Sequence, residues 1–218
     1  MAGTFITFEG IDGSGKSTQL RLVGEYLKEL GCDVLTTREP GGTSFGIRLR
    51  AALLDAREEV DPLAELLVYA ADRAQHVRRV LRPALEQGRV VISDRYADAT
   101  AAYQGAGRGF DQQLISQIIR LATEGLVPDL TVLFDVPVEE STNRTNRRSN
   151  TKNKPDRLDI EHADFHQRVR AAYLDIATME PDRVKVIDTS GPVEATQARL
   201  REILLQFLKE RGLLQADV

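Results

Sequence analysis

The chain has one cysteine, Cys32, so an intramolecular disulfide is excluded. Its N-terminus, Met-Ala-Gly-Thr-Phe, lacks a basic region followed by a long apolar segment, and a soluble cytoplasmic protein is expected. No Gly-, Ser- or Pro-rich tract divides it and no internal repeat or extended low-complexity segment is present. One domain over residues 1–218 follows, with 42% hydrophobic residues to fill a single core. Positive charge is not in excess either. A formal net charge of −4 gives no global pull toward nucleic acid or an anionic membrane, so an anionic ligand must be held by local clusters.

Against these absences stands one dense signal. Gly10-Ile11-Asp12-Gly13-Ser14-Gly15-Lys16-Ser17 is a full GxxxxGK[ST] phosphate-binding loop, directly after the apolar run Phe5-Ile6-Thr7-Phe8. Glycines at 10, 13 and 15 let consecutive backbone N–H groups turn inward on phosphate oxygens. Lys16 supplies a point charge for the β and γ phosphates, and the Ser17 hydroxyl is placed for Mg²⁺. A helix from about Gly15 to Leu30, with Thr18 in its first turn, aims its positive end at the same anion. The loop therefore predicts a nucleoside triphosphate site spanning Gly10 to Thr18.

Short apolar segments ending in polar residues alternate with amphipathic stretches, the rhythm of an α/β protein. Strands are predicted at Thr4–Phe8, Asp33–Thr37, Arg89–Ser93, Leu130–Asp135 and Arg183–Asp188, and helices at Leu63–Leu81 and Val193–Lys209 among others. Nearly unbroken apolar runs such as Val90-Val91-Ile92 imply a parallel sheet of about five strands covered on both faces, a three-layer α/β/α fold. Ligands collect at the carboxyl ends of such strands, which draws attention to Glu9, Arg38, Asp94, Asp135 and Asp188.

A phosphate-binding loop alone does not separate a GTPase from a kinase. The guanine-reading pattern Asn-Lys-x-Asp does occur, at Asn153-Lys154-Pro155-Asp156. It follows a wholly polar stretch rather than a buried strand, and the Asp-x-x-Gly match outside the loop, Asp188-Thr189-Ser190-Gly191, comes after it rather than before. Other segments favour a kinase. Phe8-Glu9-Gly10, Thr37-Arg38-Glu39-Pro40-Gly41-Gly42-Thr43, Tyr69-Ala70-Ala71-Asp72-Arg73, Ser93-Asp94-Arg95-Tyr96 and Ala102-Tyr103-Gln104-Gly105-Ala106-Gly107-Arg108-Gly109 occur in this order. In these pieces and their spacing, over almost its whole length, the chain resembles the bacterial thymidylate kinases.

The resemblance implies transfer of the γ phosphate of ATP to dTMP, with Mg²⁺, in a homodimer. It implies that Arg95 holds the acceptor phosphate beside the phosphate being transferred, offsetting the repulsion between the two anions. Arg50 resembles a second phosphate-holding arginine; Arg48, two residues away, cannot share its helical face. Asp94 resembles the carboxylate that positions Mg²⁺ with Ser17, and Asp12 an acidic residue that steers either the acceptor phosphate or the metal. Glu39 falls in the substrate-binding set. For the base, the resemblance implies Gln104 and Arg73: a carboxamide offers donor and acceptor to the thymine edge, and a guanidinium donates to a carbonyl that cytosine replaces by an amino group. Tyr69 stands where a Phe usually stacks on the base, and Tyr103 resembles the tyrosine that excludes a 2′-hydroxyl.

One basic cluster remains. Arg144, Arg147, Arg148, Lys152, Lys154 and Arg157 lie in a polar stretch, about 144–157, with Asp156 as the one acid. By resemblance this is a lid that closes over ATP and supplies an arginine to the transition state, with Arg147 and Arg148 as catalytic candidates; which of Arg144, Arg147 and Arg148 faces the phosphates stays open. No aromatic residues interleave it to stack bases, which argues against a nucleic-acid patch. The chain departs from the family at Asp159, where Glu is usual, and at Ala99, where Ser is common.

Overall fold

The computed structural model describes residues 3–54, 59–149 and 161–214, and the side chains of residues 148 and 149 fall outside that description. Among the described residues one sheet forms from β1 (Thr4–Glu9), β2 (Val34–Arg38), β3 (Val90–Asp94), β4 (Leu130–Asp135) and β5 (Val184–Asp188), in the order β2-β3-β1-β4-β5. All neighbours run parallel. The helices are α1 (Lys16–Glu29), α2 (Ser44–Leu54), α3 (Pro62–His76), α4 (Arg82–Glu86), α5 (Ala97–Thr100), α6 (Gln112–Thr123), α7 (Val138–Ser149), α8 (Ala163–Met179) and α9 (Val193–Glu210).

Burial follows position in the sheet. The central strand β1 is buried throughout, whereas the edge strands β2 and β5 each carry exposed residues. Successive side chains of a strand point to opposite faces. Ile6, Phe8, Ile92, Val132 and Phe134 therefore meet Val23 and Leu27 of α1 and Leu200, Leu204 and Leu208 of α9 on one face. On the other, Phe5 and Val91 pack with Val77, Leu81 and Tyr96, and Leu133 packs with Phe165, Val169 and Tyr173. The three leucines of α9 recur every fourth residue and are fully buried; each such side chain contributes ~1.5–3 kcal/mol at most. The three-layer α/β/α expectation is met, and the five expected strands lie within a residue of those observed.

The expected helix over Leu63–Leu81 is divided. α3 stops at His76, and Val77–Leu81 is wound as a π-helix in which the Arg82 N–H bonds the Val77 carbonyl five residues back. Pro83 follows at once; having no N–H, it cannot continue an α-helical ladder. A second π-helical stretch, Ala101–Gly107, carries Tyr103 and Gln104. Such widened turns are frequent at functional sites. Asp61 caps α3 by accepting from the N–H groups of Leu63 (2.8 Å) and Ala64 (3.3 Å).

Candidate active site

The phosphate-binding loop connects β1 to α1, and two of its glycines are required by both conformation and space. Gly10 has φ 137° and a Cβ there would lie 2.4 Å from the Phe134 carbonyl oxygen; Gly13 has φ 77° and a Cβ would lie 2.6 Å from that of Ser141. The loop is thus pressed against β4 and α7. Lys16, buried, folds back on it, its Nζ donating to the carbonyls of Gly10 (2.9 Å) and Ile11 (2.8 Å) and to Ser14 Oγ (3.2 Å). Burial and the positive charge of Arg95 push the Lys16 ammonium down to about 8, against the pull of Asp12, Asp94 and Glu9.

Ser17 Oγ donates to Asp94 Oδ2 at 2.6 Å, so the two expected metal positions are adjacent. Both are hard oxygen donors of the kind Mg²⁺ prefers. Among the described residues no group of three or more His, Cys, Asp and Glu could hold a metal. A divalent ion here would depend on phosphate oxygens and water for most of its shell, which fits a metal that arrives with a nucleotide.

A cleft with about 510 Å³ of open space adjoins the loop, lined by Asp12, Glu39, Pro40, Arg50, Leu54, Tyr69, Arg73, Arg95, Ala99, Thr100, Tyr103 and Gln104. Its phosphate-loop end is cationic. Arg95 follows β3 in a left-handed conformation, φ 72°, that costs a non-glycine residue about 1–3 kcal/mol and turns its side chain toward the loop. Its Nη2 donates to Asp12 Oδ1 and to the Tyr103 hydroxyl, both at 2.9 Å, and its Nη1 to the Tyr173 hydroxyl at 3.3 Å. Burial alone would raise the Asp12 carboxyl, but Arg95 and Lys16 hold it well below the usual carboxylate range. Arg50 reaches the cleft from α2 and donates to the Pro40 carbonyl at 3.2 Å, while Arg48 is exposed and outside the cleft.

The same cleft also carries Arg73, Tyr69 and Gln104. Arg73 of α3 donates from Nε to Glu39 (2.8 Å), from Nη1 to Thr100 Oγ1 (2.7 Å) and from Nη2 to the Tyr96 carbonyl (2.7 Å), which leaves one N–H on each terminal nitrogen. Glu39 is itself buried and shared with His76 Nδ1 at 2.8 Å. Tyr69 lies one helical turn before Arg73 and lines the same cleft, as does Ala99. The structure therefore brings Asp12, Glu39, Arg50, Tyr69, Arg73, Arg95, Tyr103 and Gln104 together.

A second cleft lies on the other side of the loop, between Gly13, Ser14, Gly15, Thr18 and Gln19 and the turn after β5, with Thr189, Gly191, Pro192, Val193 and Thr196. Arg144 of α7 lines it too. Its guanidinium donates to the carbonyls of Gly13 (3.5 Å), Thr189 (2.8 Å) and Ser190 (3.4 Å) and pairs with Glu140. Arg147 is exposed, the Arg148 side chain lies outside the described residues, and so do Lys152, Lys154, Asp156, Arg157 and Asp159 and the Asn153–Asp156 pattern.

Of the other strand-end residues, Arg38 borders a cleft with Ser17 and Asp94, Asp135 is bound by Arg170 at 2.7 and 2.8 Å, and Asp188 accepts from the Ser190 N–H and hydroxyl. Glu9 is buried, accepting from the Tyr96 N–H (2.7 Å) and the Tyr173 hydroxyl (2.8 Å); burial and the charge of Asp98 push its carboxyl up to about 7. Sequence reasoning missed Tyr173, Glu65 and Arg108. Tyr173 sits in the apolar series Phe165, Val169, Tyr173, where a hydroxyl was the one sign of something other than core. Glu65 is fully buried against Gln104 and Arg108, a charge that helical periodicity alone assigns to solvent.

A phosphate loop between β1 and α1 of a five-stranded parallel sheet, with a cleft on either side of it, defines a P-loop kinase fold. The family model described as Thymidylate kinase matches residues 8–200. A thymidylate kinase of Pelobacter propionicus is 48% identical over 212 residues, 96% of this chain and 95% of the relative, and one of Leifsonia xyli subsp. xyli is 51% identical over 199 residues, 91% and 93%. The crystal structure of thymidylate kinase from Ehrlichia chaffeensis superposes with TM-score 0.76 at 37% identity, covering 94% of this chain and all of that one. The chain belongs to the thymidylate kinase family. It is accordingly a phosphotransferase that converts dTMP to dTDP, which sets aside the GTPase alternative.

Proposed function

We propose that the chain binds ATP in the cleft beside Arg144 and dTMP in the cleft of Arg73 and Gln104, and transfers the γ phosphate in line across the Asp12–Arg95 pair. The observation that carries this reading is a single cleft lined by Arg50, Arg95, Tyr69, Arg73 and Gln104, with Arg95 bonded to Asp12 of the phosphate loop. Its charge suits a phosphate, and its ring and polar groups suit a base.

The loop from Gly10 to Thr18 cradles the triphosphate, and Lys16 exchanges its carbonyl partners for phosphate oxygens. Arg95 bonds the acceptor phosphate and the transferring group together, with Asp12 holding its fork in register. No general base is needed, because the acceptor is already an anion. Mg²⁺, held through Ser17 and Asp94, would supply charge neutralisation at the β and γ oxygens. Arg73 donates to a thymine carbonyl, Tyr69 stacks on the ring, and the Tyr103 ring stands against a 2′-hydroxyl. Arg144, together with Arg147 and Arg148, belongs to a lid of about residues 144–157 in a single domain, 1–218. α7 anchors that lid through Ser141 Oγ, which donates to the Asp12 carbonyl.

We further propose a cytoplasmic homodimer. No helix among the described residues is long and apolar enough to cross a membrane. Leu63 and Leu67 on α3 and Leu114 and Leu121 on α6 are exposed, each pair on one side of its helix, and a second copy would cover them.

Purified protein offered ATP and magnesium with dTMP, dUMP, dCMP or thymidine in turn tests the assignment. ADP release should be fastest with dTMP. Preference for another acceptor would defeat the base pocket, and hydrolysis of GTP needing no acceptor would overturn the two-cleft reading.

A further inference from the structure

A carboxamide at the base pocket poses a question that its composition leaves open. Presenting its oxygen, Gln104 accepts from a ring N–H such as that of thymine; presenting its amino group, it donates to a ring nitrogen lone pair such as that of cytosine. The two orientations select opposite bases. The structure ties one side of the amide down: Gln104 Nε2 donates to Glu65 Oε1 at 2.9 Å. An ionised carboxylate only accepts hydrogen bonds, so it is the amino group that must face it. Among the described residues no donor is bonded to Gln104 Oε1, and Gln104 lines the acceptor cleft.

Glu65 is held in place. It is fully buried on α3, and Arg108 donates to Oε1 from Nε (3.2 Å) and to Oε2 from Nη2 (3.1 Å). Arg108 is in turn anchored by Glu161 at 2.7 Å and lies 4.7 Å over the Phe165 ring. This clamp is remote from phosphate chemistry, and packing alone would be better served by an apolar residue at position 65.

We propose that Glu65 is a positioning residue for base selection, fixing the Gln104 carboxamide with its oxygen toward the base so that the pocket demands a ring N–H donor. The inference rests on the reading of Gln104 as a base contact. Glu65 touches no substrate itself. With Arg108 it removes the second orientation, which a free carboxamide would adopt for a cytosine at little cost.

The test is a double-mutant cycle of Glu65→Gln and Gln104→Ala, read as the ratio of kcat/KM for dTMP to that for dCMP. Both substrates are measured on one preparation, so partial unfolding cancels from the ratio. The carboxamide introduced by Glu65→Gln could present either end to Gln104, and the ratio should fall at least about tenfold in that variant. It should fall at least as far in Gln104→Ala and no further when both changes are combined. An unchanged ratio in Glu65→Gln beside a lowered one in Gln104→Ala overturns the role of Glu65 alone. A further drop in the double variant shows that Glu65 acts by some route other than Gln104, and also overturns it. An unchanged ratio in Gln104→Ala brings down the base contact itself. Should Glu65→Gln give no folded protein, Glu65→Asp, whose shorter carboxylate cannot reach Gln104 in the same way, is read by the same criteria.

Discussion

Arg95 and Asp12 are joined at 2.9 Å in the cleft that both line, one from the end of β3 and the other from the phosphate loop. The pair fixes the guanidinium plane before any phosphate arrives. Arg95→Lys keeps the charge but loses the planar fork and its bonds to two tyrosine hydroxyls. Its kcat should fall by about 10³-fold or more, with KM for ATP changed little. Asp12→Asn keeps the arginine but loosens it and should raise KM for dTMP more than it lowers kcat. Steady-state kinetics with each substrate varied separate the two outcomes.

Proton uptake should accompany nucleotide binding. The Lys16 ammonium, pushed down to about 8 in the free protein, gains phosphate neighbours that favour its charged form. Near pH 8.5, titration calorimetry of ATP in two buffers of different ionisation enthalpy should show net uptake. Affinity should fall as pH rises through 8, because the bound state holds the proton that the free state has lost. Identical heats in both buffers would contradict this.

Arg73→Ala should raise KM for dTMP about 100-fold or more while leaving that for ATP nearly unchanged. It also leaves the buried Glu39 carboxylate with His76 as its remaining side-chain partner, and stability should drop by up to ~3–5 kcal/mol in denaturant unfolding. Adding Glu39→Gln should recover part of the stability and none of the affinity.

Tyr103 combines a wall and a hydrogen bond. Tyr103→Phe loses its hydroxyl contacts to Arg95 and Asp12 and should lower kcat while still rejecting the ribonucleotide TMP. Tyr103→Ala should admit TMP as a competitor of dTMP. Unchanged sugar discrimination in the alanine variant would exclude the steric role.

Asp72 is buried with one oxygen bonded to the Gly41 N–H and the other, Oδ2, unpartnered. Burial and the charge of Glu39 push its carboxyl up to about 6. A carboxyl raised on folding stabilises the native state below its ordinary value, and that contribution disappears as pH rises through about 6. Asp72→Asn keeps the Gly41 contact without the charge. It should be more stable than the parent by ~1–3 kcal/mol at pH 8, and the difference should vanish near pH 3.5 in urea unfolding curves.

What the sequence reveals depends on how locally each feature is written. The phosphate loop, the five strands and the Tyr69–Arg73 helix face are short-range patterns, and the structure assembles them as expected. Tyr173 enters the site from α8, 78 residues beyond Arg95, so only the folded sheet brings the two together. Glu65 escapes for a similar reason: its partners lie 39 and 43 residues away, in and just after a π-helical stretch that no periodicity announces. Arg144 stands out in the sequence as part of a basic cluster, but its place beside Gly13 and Thr189 depends on α7 docking on the loop. The cleft beside Arg144 leaves no mark in the sequence because the turn after β5 contributes small residues and backbone, not a recognisable motif.

The strand order β2-β3-β1-β4-β5 has an evolutionary consequence. Among the described residues, the cleft of Arg73 is lined, beyond Asp12 of the loop, by residues from Glu39 to Gln104, and the cleft of Arg144 is lined, beyond the loop and α1, by Arg144 and residues from Thr189 to Thr196. A lineage could therefore retune its taste for one nucleotide without disturbing the other. Only the loop after β1, which both ligands would touch, is closed to such independent drift.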